Sequence, residues 1–278
     1  MQQQICQPNG LDIAYFDTAP DNLNRPVALL LHGFPDDAAM WRPQLEALHQ
    51  AGYRGIAPDL RGFGASSITH RVADSRLDAV LADLLGLMDH IGAATAQVAG
   101  HDWGAIFAWA LAAHHPQRVS RLAVLSVGHP NAYADAGLEQ ALRAWYAMLF
   151  QVPGLAERLL PAANWYLLRS GLTAHPAADA VRKQMGRPGR LRAALNVYRA
   201  NGLKLLRERL PPVQADTLGI YSRADAFLTR RQMHDSHHHV LGQWRYVELP
   251  GGHWMPIDQP DAIAELLIQH FDDGLAAH

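Results

Sequence analysis

The sequence contains only one cysteine, Cys6, among its 278 residues, which excludes a disulfide within the chain. It has no apolar run long enough to span a bilayer, and its first residues lack the basic flank and apolar stretch of a secretory signal. Thiols stay reduced in the cytoplasm, which suits a chain without disulfides. We therefore expect a cytoplasmic protein.

The chain also carries little net charge. Its 24 lysines and arginines nearly balance its 26 acidic residues, which gives a formal net charge of -2. Nucleic acids and anionic membranes attract proteins through clustered basic charge, so neither is an expected partner. A hydrophobic fraction of 49% excludes a disordered chain. Small, uncharged molecules are the expected partners.

Short apolar segments alternate with segments of helical period, a pattern typical of a mostly parallel sheet flanked by helices. The helical period is clearest over residues 77–91, where large apolar side chains recur every three or four positions. Six short segments are predicted to be strands: residues 27–31, 55–58, 96–99, 122–125, 218–221 and 244–247.

Residues 131–212 interrupt this alternation. They are rich in alanine, leucine and arginine, and their aromatic residues recur at helical intervals. A chain of this length can hold one large α/β domain or a domain that carries an insertion. We predict a helical cap over residues 131–212, inserted into an α/β core formed by residues 1–130 and 213–278.

A sharp turn joins the predicted strand 96–99 to an apolar helix. Asp102 lies at the centre of this turn, with Gly100 and Gly104 two positions to either side, as a strained strand-to-helix turn requires. The partial positive charge at the helix N-terminus should keep the Asp102 carboxylate ionised. Taken alone, the turn fits a helix-capping aspartate and a nucleophile about equally well.

Other segments favour the nucleophile. Residues 32–35, His-Gly-Phe-Pro, follow the first strongly apolar strand, so the backbone N–H groups of Phe34 and Trp103 are the predicted oxyanion-hole donors. His253 lies in a glycine-rich loop after the last predicted strand, where open α/β sheets bind ligands. Asp225, in the loop after the preceding strand, is the predicted acid that orients His253. Asp216 precedes that strand and is the weaker candidate.

These segments resemble the epoxide hydrolases of the α/β-hydrolase superfamily, and the resemblance covers nearly the whole chain. It rests on residues 32–35, on residues 59–66 (Asp-Leu-Arg-Gly-Phe-Gly-Ala-Ser), on the Asp102 turn and on residues 252–254 (Gly-His-Trp). The resemblance implies an α/β-hydrolase fold and conversion of an epoxide to a vicinal diol through a covalent ester of Asp102. It implies no cofactor and no metal.

The chemistry agrees with an aspartate in this position. An epoxide has no carbonyl group, so the nucleophile must attack carbon directly, and a serine would form a stable ether. A carboxylate forms an ester, which a histidine and an oxyanion hole can hydrolyse. The expected partners are a small hydrophobic epoxide and water.

In the family, two cap tyrosines hydrogen-bond the epoxide oxygen. One precedes a Phe-Gln-x-Pro-Gly segment, which residues 150–154 match, and the resemblance implies Tyr146 for this role. The other lies in a Leu-Asn-x-Tyr-Arg context, which residues 195–199 match, and it implies Tyr198.

Three alternatives use the same fold. Haloalkane dehalogenases share the aspartate nucleophile and use the indole after it as a halide donor, but often have an asparagine where this chain has Phe34. Fluoroacetate dehalogenases carry an arginine where this chain has Trp103. A non-catalytic binding protein of this fold would be expected to lack Asp102, Asp225 or His253.

Two further sets of residues attract attention. Three consecutive histidines, residues 237–239, suggest a metal site. Consecutive side chains point in different directions and rarely converge on one ion, so we expect these histidines to lie on a solvated surface instead. Nine apolar residues are candidates for the wall of the substrate pocket: Phe34, Trp41, Trp103, Trp145, Phe150, Trp165, Phe227, Trp254 and Met255.

Overall fold

The structure is a computed structural model, and it describes residues 1–162, 165–166 and 174–275. The described strands are β1 (Gln3–Cys6), β2 (Ile13–Asp17), β3 (Val27–Leu31), β4 (Arg54–Pro58), β5 (Ala96–His101), β6 (Val119–Leu125), β7 (Asp216–Ser222) and β8 (Trp244–Leu249). They form one sheet in the order β1-β2-β4-β3-β5-β6-β7-β8. Strands β3 to β8 pair in parallel, whereas β2 pairs antiparallel with both β1 and β4. The predicted mostly parallel sheet is confirmed.

All six predicted strands lie within observed strands, but β1 and β2 were not predicted. The sequence of β1, Gln-Gln-Ile-Cys, has little apolar character, and β2 is buried along its whole length between β1 and β4. The edge strand β1 acquires its structure from pairing with β2, so its own residues give a weak signal, whereas β2 (Ile-Ala-Tyr-Phe-Asp) has strand-favouring residues and was missed by the prediction.

Helices cover both faces of the sheet. The described α-helices are α1 (Arg42–Gln50), α2 (Leu77–His90), α3 (Trp103–His114), α4 (Pro130–Ala134), α5 (Leu138–Arg143), α6 (Trp145–Phe150), α7 (Leu155–Ala162), α8 (Ala178–Met185), α9 (Arg190–Leu205), α10 (Arg230–His234), α11 (Met255–Asp258) and α12 (Pro260–Leu275). Short 3₁₀ helices span Ala38–Trp41, Val72–Ser75, Pro116–Arg118 and Asp235–His239. Within the described ranges, no helix combines the length and apolar character needed to cross a bilayer.

Two hydrophobic cores lie on opposite faces of the sheet. Helices α2 and α3 contribute Leu84 and Phe107 to one core, and α1 and α12 contribute Leu45 and Phe271 to the other. Helix α3 is apolar on nearly all sides, and the sheet, α2 and the residues after β6 enclose it. The strand-to-helix turn that begins α3 is therefore held from several directions.

The described residues between β6 and β7 contain helices and irregular structure but no strand. Helix α9 fastens this segment to the rest of the molecule. The Arg190 guanidinium donates hydrogen bonds to the carbonyl oxygens of Phe63 and Ser66, at 3.0 and 2.9 Å. The side-chain amide of Asn201 donates to the carbonyl oxygen of Ser75 at 2.8 Å. These buried polar contacts fix α9 relative to the sheet.

Candidate active site

The turn between β5 and α3 holds Asp102 in an unusual backbone conformation, with φ 52° and ψ -121°. Only small neighbours permit this turn. A Cβ atom on Gly100 would collide with the backbone of Gly104, and one on Gly104 would collide with the backbone of Leu31. The two glycines therefore allow the strand, the turn and the helix to approach each other closely, as the sequence predicted.

The Asp102 carboxylate is buried beside the loop that follows β3. Its Oδ1 atom accepts a hydrogen bond from the backbone N–H of Phe34 at 2.8 Å. The amide of Trp103 belongs to the first turn of α3, whose N–H groups have no partner within the helix. The predicted Phe34 donor thus contacts the Asp102 carboxyl group, and the predicted Trp103 donor is the next backbone amide after Asp102.

His253 lies between two carboxylates. Its Nδ1 atom is 2.8 Å from Oδ2 of Asp225, and its Nε2 atom is 3.7 Å from Oδ2 of Asp102. The other Asp225 oxygen accepts hydrogen bonds from the N–H groups of Phe227 and Leu228, at 2.8 and 3.0 Å. Asp216 lies at the start of β7 instead, where it pairs with Arg121. The structure therefore brings Asp102, His253 and Asp225 together and leaves Asp216 apart.

The two carboxylates change the acidity of His253. Burial favours the neutral imidazole, but the charges of Asp225 and Asp102 outweigh burial and raise the pKa of His253 from 6.5 to about 10. Burial would also raise the pKa of Asp225, yet the His253 charge and the donors to its oxygens lower that pKa below its ordinary value. The two neighbouring carboxyl groups thus favour the imidazolium form of His253.

This raised pKa predicts how stability depends on pH. The His253 contribution to the free energy of unfolding is fully present below about pH 6.5, and it is lost as the pH rises through about 10. Between these values the wild-type melting temperature should fall more steeply than that of His253→Gln. Thermal melts of both proteins across this range provide the measurement. Parallel curves for the two proteins would contradict the raised pKa.

A cavity of about 240 Å³ lies beside Asp102, between the core and the helices that follow β6. Tyr146 on α6 and Tyr198 on α9 line it together with Trp103. The rings of the two tyrosines are 6.2 Å apart, and the ring of Tyr198 lies edge-on to Trp103 at 5.0 Å. Burial, reinforced by the Asp102 charge, raises the pKa of both tyrosines well above 10. Both therefore remain protonated at neutral pH and can donate hydrogen bonds.

The predicted pocket residues lie in several different places. Trp103 lines the cavity. Phe34 and Phe150 do not line the cavity, and their rings pack against the ring of Tyr198. Phe227 packs on Tyr146. These three aromatic rings therefore support the cavity-lining tyrosines from outside the described cavity wall.

The other five pocket predictions also need correction, because none of these residues lines the cavity. Trp145 is 59% exposed, because α6 turns Tyr146 and Phe150 inward and leaves the preceding residue outside. Trp41 and Met255 belong to the core on the opposite face of the sheet. Trp254 packs against His253, and Trp165 is buried in the core on the cavity side, but neither lines the cavity.

Sequence reasoning did not single out three polar residues near the site. Tyr133 on α4 and Gln140 on α5 line the cavity. Arg143 donates hydrogen bonds of 2.7 Å to the carbonyl oxygens of Asp225 and Leu228, so it holds the loop that carries the acid. All three residues lie on short helices of the segment after β6. The residue pattern of that segment predicts amphipathic helices, but it does not indicate which polar side chains face the site.

Comparison with known proteins shows what the chain resembles. A family model described as alpha/beta hydrolase fold matches residues 26–260. The chain is 31% identical to Epoxide hydrolase A of Mycobacterium tuberculosis, covering 96% of each chain. It is 29% identical to Epoxide hydrolase 3 of Xenopus tropicalis, over 96% of this chain and 77% of the relative. The crystal structure of Epoxide Hydrolase A from Mycobacterium thermoresistibile superposes with a TM-score of 0.83 at 29% identity, over 97% of each chain.

Proposed function

The chain belongs to the α/β-hydrolase fold family and, within it, to the epoxide hydrolases, and from this premise we propose that Asp102 is its nucleophile. The observation that carries the proposal is the position of Asp102 between His253 and the cavity that Tyr146 and Tyr198 line. A carboxylate with a histidine beside it, and two hydroxyl donors in the wall of the same cavity, are the groups that a two-step hydrolysis of an epoxide requires.

In the first step, an Asp102 oxygen attacks an epoxide carbon and the bond between that carbon and the ring oxygen breaks. Tyr146 and Tyr198 donate hydrogen bonds to the ring oxygen as its negative charge develops. Their high pKa keeps both hydroxyls protonated until that moment. The product of this step is a hydroxyalkyl ester of Asp102.

Ester formation removes the Asp102 charge, which is one of the interactions that hold a proton on His253. The pKa of His253 must therefore fall, and in net terms its proton neutralises the opened ring oxygen through the tyrosine hydroxyls. His253 is then a neutral base, still oriented by Asp225. The charge of the nucleophile thus controls when the base becomes available.

In the second step, His253 takes a proton from water, and the hydroxide attacks the carboxyl carbon of Asp102. The negative charge of the tetrahedral intermediate develops on an Asp102 oxygen, beside the N–H groups of Phe34 and Trp103. The Phe34 N–H already contacts Oδ1 in the free enzyme. Collapse of the intermediate releases the diol and restores the Asp102 carboxylate and the His253 imidazolium.

We also propose that residues 131–212 form a cap on a core of residues 1–130 and 213–278. Helix α9 of this segment supplies Tyr198 and is tied to the core through Arg190 and Asn201. The cap would enclose the substrate and bring the two tyrosines over Asp102.

The proposal is tested by product analysis with a small panel of epoxides and haloalkanes. We expect diols from styrene oxide and from alkyl epoxides, and no halide release from haloalkanes of similar size. The absence of an asparagine at Phe34 favours this outcome, because dehalogenases often use that residue to bind halide. Halide release without diol formation would overturn the proposal.

The role of the tyrosines predicts a specific loss. Tyr146→Phe and Tyr198→Phe should each lower kcat for styrene oxide about 10²-fold, since removal of one transition-state donor has an effect of this order. Single-turnover measurements should show that formation of the Asp102 ester is the slowed step. A loss confined to hydrolysis of the ester would contradict the assignment.

A further inference from the structure

Tyr133 is a third tyrosine in the wall of the cavity. It lies on α4, and it lines the same space as Asp102, Tyr146 and Tyr198. Most other residues of this wall are apolar, among them Ile106, Val127, Ala141, Ala147, Leu203 and Leu228. Two tyrosines suffice for the ring oxygen of an epoxide. The hydroxyl of Tyr133 therefore has no task in the reaction described above.

Helix α4 holds Tyr133 in a fixed position. The Asn131 side chain donates a hydrogen bond to the Leu210 carbonyl oxygen and accepts one from the Leu210 N–H, both at 3.0 Å. The N–H of His129 donates to the Ser236 hydroxyl at 2.7 Å. These contacts tie α4 to chain segments on either side of it. The position of Tyr133 is consequently set before any substrate enters.

Gln140 determines which way the Tyr133 hydroxyl can donate. Its amide oxygen accepts hydrogen bonds from the N–H and the hydroxyl of Thr229, at 2.8 and 3.1 Å. Its amide nitrogen donates to the carbonyl oxygen of Phe227 at 2.9 Å. These partners fix the orientation of the amide group, so its second N–H is the one that can be donated to the Tyr133 oxygen, whose pKa the Gln140 amide lowers.

The Gln140 oxygen already accepts from two groups of Thr229, so the amide can donate to the Tyr133 oxygen but does not accept the Tyr133 proton. Burial and the Asp102 charge oppose ionisation of this hydroxyl and raise its pKa above the ordinary value. In the part of the chain that the structure describes, no group accepts the proton of Tyr133. A donor without an acceptor, at a cavity wall, is available to a ligand.

We propose that Tyr133 is a specificity residue that donates a hydrogen bond to an oxygen atom on a substituent of the epoxide. The preferred substrates are then epoxides that carry an ether or hydroxyl oxygen near the ring, rather than purely hydrocarbon epoxides. This inference rests on the proposed function, and it adds a recognition contact that the two-step reaction does not itself need.

Two substrates that differ by one atom test the proposal. Butyl glycidyl ether and 1,2-epoxyoctane have the same chain length, and an ether oxygen in the first replaces a methylene group in the second. The wild-type enzyme should have the higher kcat/KM for the ether. In Tyr133→Phe, the ratio of kcat/KM for the ether to kcat/KM for the hydrocarbon epoxide should fall roughly tenfold, which is the effect of losing one hydrogen bond. Both substrates are measured on the same preparation, so partial misfolding cancels from the ratio.

Tyr15→Phe is the matched control, because it removes the hydroxyl of a buried tyrosine in β2, outside the cavity. The control should keep the wild-type ratio. An unchanged ratio in Tyr133→Phe would overturn the inference. An equal loss for both substrates would also overturn it, since the hydroxyl would then act on the ring oxygen. Failure of the proposed function is distinguishable, because the wild-type enzyme would then form no diol from either substrate.

Discussion

Replacement of His253 by glutamine should trap the enzyme as a covalent ester of Asp102. Bond formation to the epoxide carbon needs the carboxylate and the two tyrosines, and in the variant the opened ring oxygen can take its proton from a tyrosine hydroxyl and solvent, whereas hydrolysis of the ester requires a base to activate water. We expect steady-state turnover of styrene oxide to fall at least about 10³-fold. Mass spectrometry of the variant after incubation with styrene oxide should find the substrate mass added to Asp102.

His270→Gln serves as the control for this experiment. It removes another buried imidazole, which contacts the Leu122 carbonyl oxygen from α12, and it should retain turnover. Loss of turnover in His253→Gln without any adduct would contradict the order of the two steps.

A single turnover of the wild-type enzyme in water that carries a heavy oxygen isotope gives an independent check. Water attacks the carboxyl carbon of Asp102, so the label should enter the Asp102 carboxyl group first and reach the diol only in later cycles. Label in the diol from the first cycle would show direct attack of water on the epoxide.

Asp102→Asn should have the largest effect of any single substitution, because an amide is a very poor nucleophile at carbon. We expect kcat to fall by about 10⁴-fold or more, with no covalent adduct at residue 102. The fold should persist, since asparagine has the same shape as aspartate and its amide oxygen can still accept the Phe34 N–H. Steady-state kinetics and thermal melts measure the two effects.

Asp89→Asn is the matched control, because Asp89 is an exposed residue of α2 that pairs with Arg118. It should keep wild-type turnover. Binding of the epoxide to Asp102→Asn, measured by calorimetry, should also be retained. If Asp102→Asn instead lost ligand binding and the wild-type protein showed no turnover, the chain would be a binding protein rather than an enzyme.

The sequence shows the sheet from β3 to β8 most clearly, because these strands contain short segments rich in apolar or β-favouring residues between turn residues. It also points to Asp102, since the requirement for small residues at positions 100 and 104 is local and can be recognised without knowledge of the fold. His253 stands out among 16 histidines for a similar reason, its place in a glycine-rich loop after a strand.

Other features depend on contacts between distant parts of the chain. Helical period shows that α6 has an inner and an outer face, but the packing of α6 against Tyr198 decides that Tyr146 faces inward and Trp145 outward. Strand β1 forms through pairing with β2 rather than through its own composition. Tyr133 enters the cavity because Asn131 and Gln140 bind segments that lie far away in sequence.

The sequence by itself determined the type of sheet and the strained turn that carries the carboxylate, because backbone sterics and hydrophobic period act over a few residues. The sequence favoured Asp225 over Asp216 as the acid, but only the tertiary structure shows the contact between Asp225 and His253 and the presence of the Tyr133 hydroxyl in the cavity wall. Asp225 lies 2.8 Å from His253, although 28 positions separate them along the chain. Such distances depend on how whole helices and strands pack, and no local pattern of residues encodes them.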